Sequence, residues 1–271
     1  MKQFDSITFS SGSIKGISFI GVLKYFYENK IHANEYRGTS IGALFAFMCI
    51  LNLNIEELDT LKVFSKEIPL LKPSIINFIK HFSFSNNNIL TTIIDYCLTC
   101  RNLNQDITFK QLYTISKKKL IIFVVELHSG ELINVDYTTF PNACVKTFLL
   151  ASMALPLLFP PIKYNKIYYI DGAICNDGQF PLVKNNMGNH LGICIETVES
   201  CISEKKLTLK IYLKSIFEIL TKKQKCDYKN TIIVTIKTDI HSLNFVSIVN
   251  NENYNILVEN GYRSIKNVFE N

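Results

Sequence analysis

Apolar positions along this chain switch between two periods. Residues Phe4 to Ser10 alternate as a first strand does, and Ile17, Phe19, Ile20, Leu23, Phe26 and Tyr27 then fall at helical spacing. Between them Ser10-Ser11-Gly12-Ser13-Ile14-Lys15-Gly16 reads as a small-residue loop. Glu35-Tyr36-Arg37 is short and extended, and Ile41 to Leu51 is an unbroken apolar run of helix length. Glu56 to Arg101 predicts helices separated by Pro69, Pro73 and the polar stretch Ser83 to Asn88, and Thr108 to Ile115 predicts another. Together residues 56–116 form an expected helical cap or lid beside the sheet.

Leu120 to Val125 is a β-branched run that predicts a buried strand, with Leu132 to Val135 turning back on it through Ser129-Gly130. Pro141 to Met153 predicts a helix ended by Pro156, and Leu157 to Ile162 is an apolar segment stiffened by two prolines, suited equally to a pocket wall and to a surface turn packed on the core. Tyr168 to Ile170 predicts a strand that delivers Asp171. Leu191 to Ile195 and Thr231 to Ile236 predict further strands, covered by helices at Leu207 to Leu220 and Asn253 to Val268. Strands alternating with helices throughout predict a three-layer α/β/α fold with a mostly parallel central sheet. The expected organisation is one domain over 1–271, with a core at 4–195 and a C-terminal strand and helices at 200–271.

Composition narrows the class. With 48% hydrophobic and 19% charged residues the chain is not a disordered one. Its net charge of +6 is spread out, apart from Lys117-Lys118-Lys119 and the Lys205 to Lys225 region, which suits a solvated face or an anionic membrane surface. There is no nucleic-acid motif and no basic stripe with interleaved aromatics, so no nucleic-acid partner is expected. Eight cysteines sit mostly inside apolar runs and are expected to be reduced, and Cys97-x-x-Cys100 has no second pair at zinc spacing, so no metal is expected. Met1 to Ile7 runs straight into a strand pattern, leaving no room for a secretory leader. The uncharged stretch Gly38 to Ile55 is solidly apolar only from Ala43 to Leu51, which predicts a buried helix and not a membrane span. The expectation is therefore a cytoplasmic protein, peripheral at membranes.

Chemistry concentrates at Gly38-Thr39-Ser40-Ile41-Gly42. A serine on a sharp strand-to-helix turn needs small neighbours two residues either side, and its hydroxyl then stands at a helix N-terminus, where backbone N–H groups favour developing negative charge. The loop at 11–16 can present N–H groups to an anion, yet lacks the endings of a nucleotide P-loop or a dinucleotide site, so no cofactor is expected. Asp171-Gly172 at a strand's C-terminal end lies where open α/β sheets bind ligands. In the alternative, a Ser/His/Asp triad, His190 or His241 would be the base, because that order puts histidine last.

The loop Ser11 to Gly16, the Gly38-Thr-Ser-Ile-Gly42 turn, Ala151-Ser152-Met153-Ala154-Leu155-Pro156, Phe159-Pro160-Pro161 and Asp171-Gly172-Ala173 stand in an order that resembles the patatin-like phospholipases, from about Ile7 to Pro181. The resemblance implies a lipid acyl hydrolase with a Ser/Asp dyad: Ser40 as nucleophile, Asp171 as base, and Gly12, Ser13 and Ile14 as oxyanion donors. It places the family's basic position at Lys15. It implies a lipid substrate at a membrane or micelle surface and leaves the oligomeric state open. Two departures stand out. The family's three consecutive glycines are replaced by Ser11-Gly12-Ser13, and serine disfavours positive φ, so a reshaped loop is expected. After Asp171-Gly-Ala the family's early Asn-x-Pro is stretched here to Asn176 and Pro181. The first departure motivates a competing reading, a catalytically impaired lipid-binding protein.

Overall fold

The structure, a computed structural model, describes residues 2–65, 75–183, 188–197, 231–238 and 251–270. In chain order these form β1 (Lys2–Phe9), a 3-10 helix (Ser13–Ile17), α1 (Ser18–Asn29), β2 (Ile31–Thr39), α2 (Ile41–Leu51), α3 (Ile55–Ser65), α4 (Ile75–His81), α5 (Asn88–Thr99) and α6 (Phe109–Ser116). There follow β3 (Lys119–Glu126), β4 (Leu132–Val135), α7 (Val145–Ser152), β5 (Ile162–Tyr164), β6 (Ile167–Asp171), a 3-10 helix (Gly172–Ile174), α8 (Asn176–Gln179), β7 (His190–Thr197), β8 (Thr231–Thr238) and α9 (Asn251–Glu270). The helix expected at Leu207 to Leu220, together with Pro69, Pro73 and His241, lies outside the described residues.

The described strands form one mixed, mostly parallel sheet. β3, β2, β1, β7 and β8 run parallel in that order, while β4 and β6 pair antiparallel with β3 and β5 with β6. Successive steps from β1 to β2 to β3 go in one direction, so right-handed crossovers put α1 and α2 on the same face. There Phe9 meets Phe19 and Phe26 of α1 edge to face. On the opposite face Phe180 and Leu182 lie against Gly192 of β7. α2 is apolar all round because it is covered all round: Ala43, Leu44, Phe45, Ala46, Phe47 and Met48 are buried.

The helices of the expected cap are sewn into the same core. Leu58, Leu61, Ile94, Cys97 and Leu98 join the cluster built by α2 and the sheet. Asn54 and Glu57 exchange side-chain hydrogen bonds across the start of α3 (2.7 and 2.9 Å). Arg101 then grips Glu57 with both ends of its fork (2.6 and 2.9 Å) and donates to the last carbonyls of α2, Leu51 (2.6 Å) and Asn52 (2.6 Å). A cation at a helix C-terminus satisfies orphan carbonyls and offsets the dipole. The Arg101 hydrogen bond holds the Glu57 carboxyl below its usual range.

Several boundaries differ from the sequence reading. β2 begins at Ile31, well before Glu35, and α7 begins at Val145, because Cys144 is extended and bridges to Thr108. Ile162, read as the end of the apolar Leu157-to-Ile162 segment, opens a short strand, Ile162–Tyr164, that pairs with β6. Cys49, Cys97, Cys100, Cys144, Cys175 and Cys194 are free thiols. No helix among the described residues is long and apolar enough to cross a membrane.

Candidate active site

β2 ends at Thr39 and α2 starts at Ile41, leaving Ser40 alone at the corner with φ 56° and ψ −130°. A side chain at positive φ is strained, and the surroundings enforce it. A Cβ on Gly38 would run into the Gly42 carbonyl, and one on Gly42 would run into the carbonyl oxygen of Ser10. Only hydrogen atoms at both positions let the helix turn back over the strand ends. The Ser40 N–H donates to Ser152 Oγ (2.8 Å), and that hydroxyl donates to the Phe123 carbonyl of β3 (2.7 Å). The last residue of α7 thus pins the corner to the neighbouring strand.

Strand register brings in the aspartate. Thr39 lies opposite Phe123, and Asp171 lies opposite the next residue, Val124. β4 pairs with Ile122 to Val125 as well, so it occupies the other edge of β3, and β2 and β6 share one edge end to end. Ser40 and Asp171, 131 positions apart in sequence, therefore meet where the two strands stop. Ser40 Oγ donates to Asp171 Oδ2 at 2.6 Å, the Ala173 N–H donates to Oδ1 at 2.9 Å, and the Asp171 N–H is held by the Ala154 carbonyl at 3.1 Å. The carboxyl group is buried, and burial pushes its pKa up to about 7 against the pull of the Ser40 and Ala173 hydrogen bonds. Gly172 fits close under the same strand, where a Cβ would come 2.5 Å from the Phe123 carbonyl oxygen.

The loop at 10–16 reaches the corner from the far side. The Ser10 N–H continues the ladder to Ile193 (2.9 Å), and the Ser11 N–H donates to the Gln179 carbonyl (2.8 Å). Gly16 is seated on Ile41, where a Cβ would come 2.6 Å from Cγ2, and Gly12 on Ile195 (2.7 Å). The loop therefore rests on the residue that follows Ser40. Ser13 has φ 50°, so the left-handed conformation that a glycine takes freely is kept by a serine. The expected reshaping through avoidance of positive φ does not occur at this residue. Gly12, Ser13 and Ile14 precede the first intrahelical donor of the 3-10 helix, and no described group engages their N–H groups. Ile14 and Lys15 are buried, and the Ser18 hydroxyl fastens the Lys15 carbonyl (2.8 Å).

His190 stands apart from this cluster. It opens β7 at the level of Ser6, to whose hydroxyl its Nδ1 is hydrogen-bonded (2.8 Å), three strand residues or about 10 Å short of the end of β1. A cavity of about 310 Å³ lies beside Arg37, Phe123, Asn134 and Phe180. The segment Leu157 to Ile162, for which a pocket wall and a surface turn packed on the core are both open, is not among the residues lining this cavity; Leu157 is exposed and Phe159 is buried. Ser152 and the Phe123 carbonyl are the positioning groups that pattern alone does not disclose. The sequence marks Ser152 only as part of the Ala151-to-Pro156 motif, which says nothing of its bond to Ser40.

The profile of the patatin-like phospholipase family matches residues 7–182. The chain is 25% identical over 193 residues to the probable lipid hydrolase 463L of Invertebrate iridescent virus 6, covering 67% of this chain and 63% of that protein. It therefore spans less than two thirds of that relative. It is 20% identical over 283 residues to the uncharacterized protein R571 of Acanthamoeba polyphaga mimivirus, covering 97% and 93% of the two chains. Among solved structures, VipD from Legionella pneumophila superposes with a TM-score of 0.60 at 14% identity, over 98% of this chain and 67% of that one.

Proposed function

Since the chain belongs to the patatin-like phospholipase family, we propose that it is a lipid acyl hydrolase of phospholipase A or lysophospholipase type that works through a Ser40 acyl-enzyme with Asp171 as general base. The observation that carries this reading is the 2.6 Å hydrogen bond from Ser40 Oγ to a buried Asp171. The viral relative named a probable lipid hydrolase supports the substrate class.

An aspartate of ordinary strength, near pKa 4, is a poor proton acceptor for a serine. Burial that raises Asp171 to about 7 makes it a base matched to neutral pH. In its carboxylate form it accepts the Ser40 proton while Oγ attacks the ester carbonyl carbon, and the carbonyl π pair moves onto oxygen. The N–H groups of Gly12, Ser13 and Ile14 are the donors for that oxyanion, each contributing about 3 kcal/mol to the transition state. Collapse expels the lyso-lipid or alcohol, which leaves with the proton from Asp171. Water, deprotonated by the same carboxylate, then releases the fatty acid and restores Ser40. The left-handed Ser13 favours a working oxyanion loop over a catalytically impaired one, because the glycine-like backbone is retained.

The test is release of free fatty acid from mixed phospholipid vesicles by wild type, Ser40→Ala, Asp171→Asn and His241→Ala, with folding checked for each. Activity is expected in wild type and His241→Ala and a loss of about a thousandfold or more in the other two. Loss in His241→Ala with retention in Asp171→Asn would overturn the dyad. Wild type that neither turns over lipid nor labels at Ser40 with a fluorophosphonate would overturn the hydrolase.

A further inference from the structure

Beyond the dyad the molecule carries an apolar rim that packing does not explain. Ile79 in α4 is 72% exposed and Phe82, just after it, 71%, whereas large apolar side chains at such exposure are ordinarily scattered singly. Phe82 and Leu157 both have positive φ (58° and 68°), a strained choice for bulky residues. The strain is held in place by pairing: Ser83 bridges to Leu157, and the N–H groups of Phe84 and Ser85 donate to the carbonyls of Leu157 (2.7 Å) and Leu158 (3.0 Å). Phe78 stacks on Phe84 beneath (4.8 Å). The rim adjoins the site, since Leu157 lies three residues past Ala154, whose carbonyl holds the Asp171 N–H.

Charge on the two paired segments is one-sided. There is no Asp or Glu between Glu67 and Asp95, nor between Asp136 and Asp171. Over the same stretches Lys80, His81, Lys163 and Lys166 are exposed. Protruding apolar side chains on segments that carry exposed cations and no carboxylate match the interfacial layer of an anionic bilayer, where apolar groups enter the acyl boundary and lysines meet phosphates.

We propose that the rim formed by Ile79, Phe82 and Leu157, with Lys80 beside it, is the surface by which this protein docks on an anionic lipid bilayer, presenting the mouth of the site to the lipid. The proposal rests on the lipid-hydrolase reading for its purpose, yet docking is measured without turnover. The probe is co-sedimentation of the Ser40→Ala protein with phosphatidylcholine vesicles, with and without phosphatidylserine. Binding is expected to be stronger to the phosphatidylserine vesicles and to weaken with salt. Ile79→Ser with Phe82→Ser should lower the partition coefficient by about tenfold or more, and Lys80→Glu by roughly fivefold or more. In the active background the same changes should reduce hydrolysis of vesicle lipid while leaving hydrolysis of a monomeric short-chain nitrophenyl ester unchanged, which also shows that the variants fold.

Equal partitioning of parent and variants, or no preference for phosphatidylserine, would overturn the docking surface. So would a change in oligomeric state on Ile79→Ser/Phe82→Ser in lipid-free solution, which would make the rim a contact between copies. Vesicle binding by a wild type that hydrolyses neither substrate would instead sink the hydrolase and leave the docking intact.

Discussion

Two serines in this molecule, Ser40 and Ser13, hold nearly the same unfavourable backbone angle, φ 56° and 50°. At Ser40 the strain is over-determined: glycines packed on both sides, an amide bonded to Ser152, a hydroxyl bonded to Asp171. At Ser13 it is carried by the seating of Gly12 and Gly16 on Ile195 and Ile41, and among the described residues no hydrogen bond holds its hydroxyl. Strain at the proposed nucleophile is braced from several directions, whereas strain at the proposed oxyanion donor is left to the loop.

The largest test of that contrast is Asp171→Asn. Activity should fall by about a thousandfold or more, because the base is gone. Stability should rise at alkaline pH. The native carboxyl titrates near 7 and the unfolded one near 4, so the buried group favours folding least above pH 7. The asparagine should gain at most about 4 kcal/mol there, and the gain should vanish as pH falls below about 4, as read by denaturant unfolding across that range. In wild type, kcat/KM should climb with pH through about 7 to a plateau. No stabilisation at pH 8 would mean that the dyad is not bought at the expense of stability.

Next in size is Gly42→Ala, whose methyl meets the Ser10 carbonyl. It should cost about 3 kcal/mol and, by shifting Ser40, on the order of a hundredfold in rate. Ser152→Ala leaves the Ser40 N–H and the Phe123 carbonyl without their partner. It should cost about 2 kcal/mol in thermal unfolding and roughly tenfold in kcat, with little change in KM. Smallest is Ser13→Gly, which relieves left-handed strain without removing a bond. It should raise stability by about 0.5 to 1 kcal/mol and leave kcat within a fewfold of wild type. A large rate change there would show that the Ser13 hydroxyl is braced after all.

The sequence displays what is periodic and what is small. β3 was readable as an unbroken β-branched run, and α2 as an unbroken apolar one, because each is buried on all sides. The corner at Ser40 was readable because the two glycines have a steric reason to be there. The first half of β2 was not, since His32, Asn34 and Glu35 leave its burial irregular despite its central place. The β5–β6 hairpin was hidden by Pro160-Pro161 before it and by the tight Asn165-Lys166 turn, both residues of which have positive φ. Ser152 stands in a recognisable Ala151-to-Pro156 motif, but its partners, the Ser40 N–H and a carbonyl on another strand, are not local and so were not legible.

Because β2 and β6 abut along one edge of β3, the distance between Ser40 and Asp171, the proposed nucleophile and base, is set by hydrogen-bond registry and not by loop conformation. A nascent chain that has emerged only as far as Tyr164 holds the serine without its base. On the proposed mechanism hydrolytic competence then depends on β6 closing on β3, a non-local pairing of the kind that slows folding. Under the proposed mechanism, turnover would be a built-in report of completed assembly, and a truncated or misregistered molecule would carry Ser40 without Asp171 beside it.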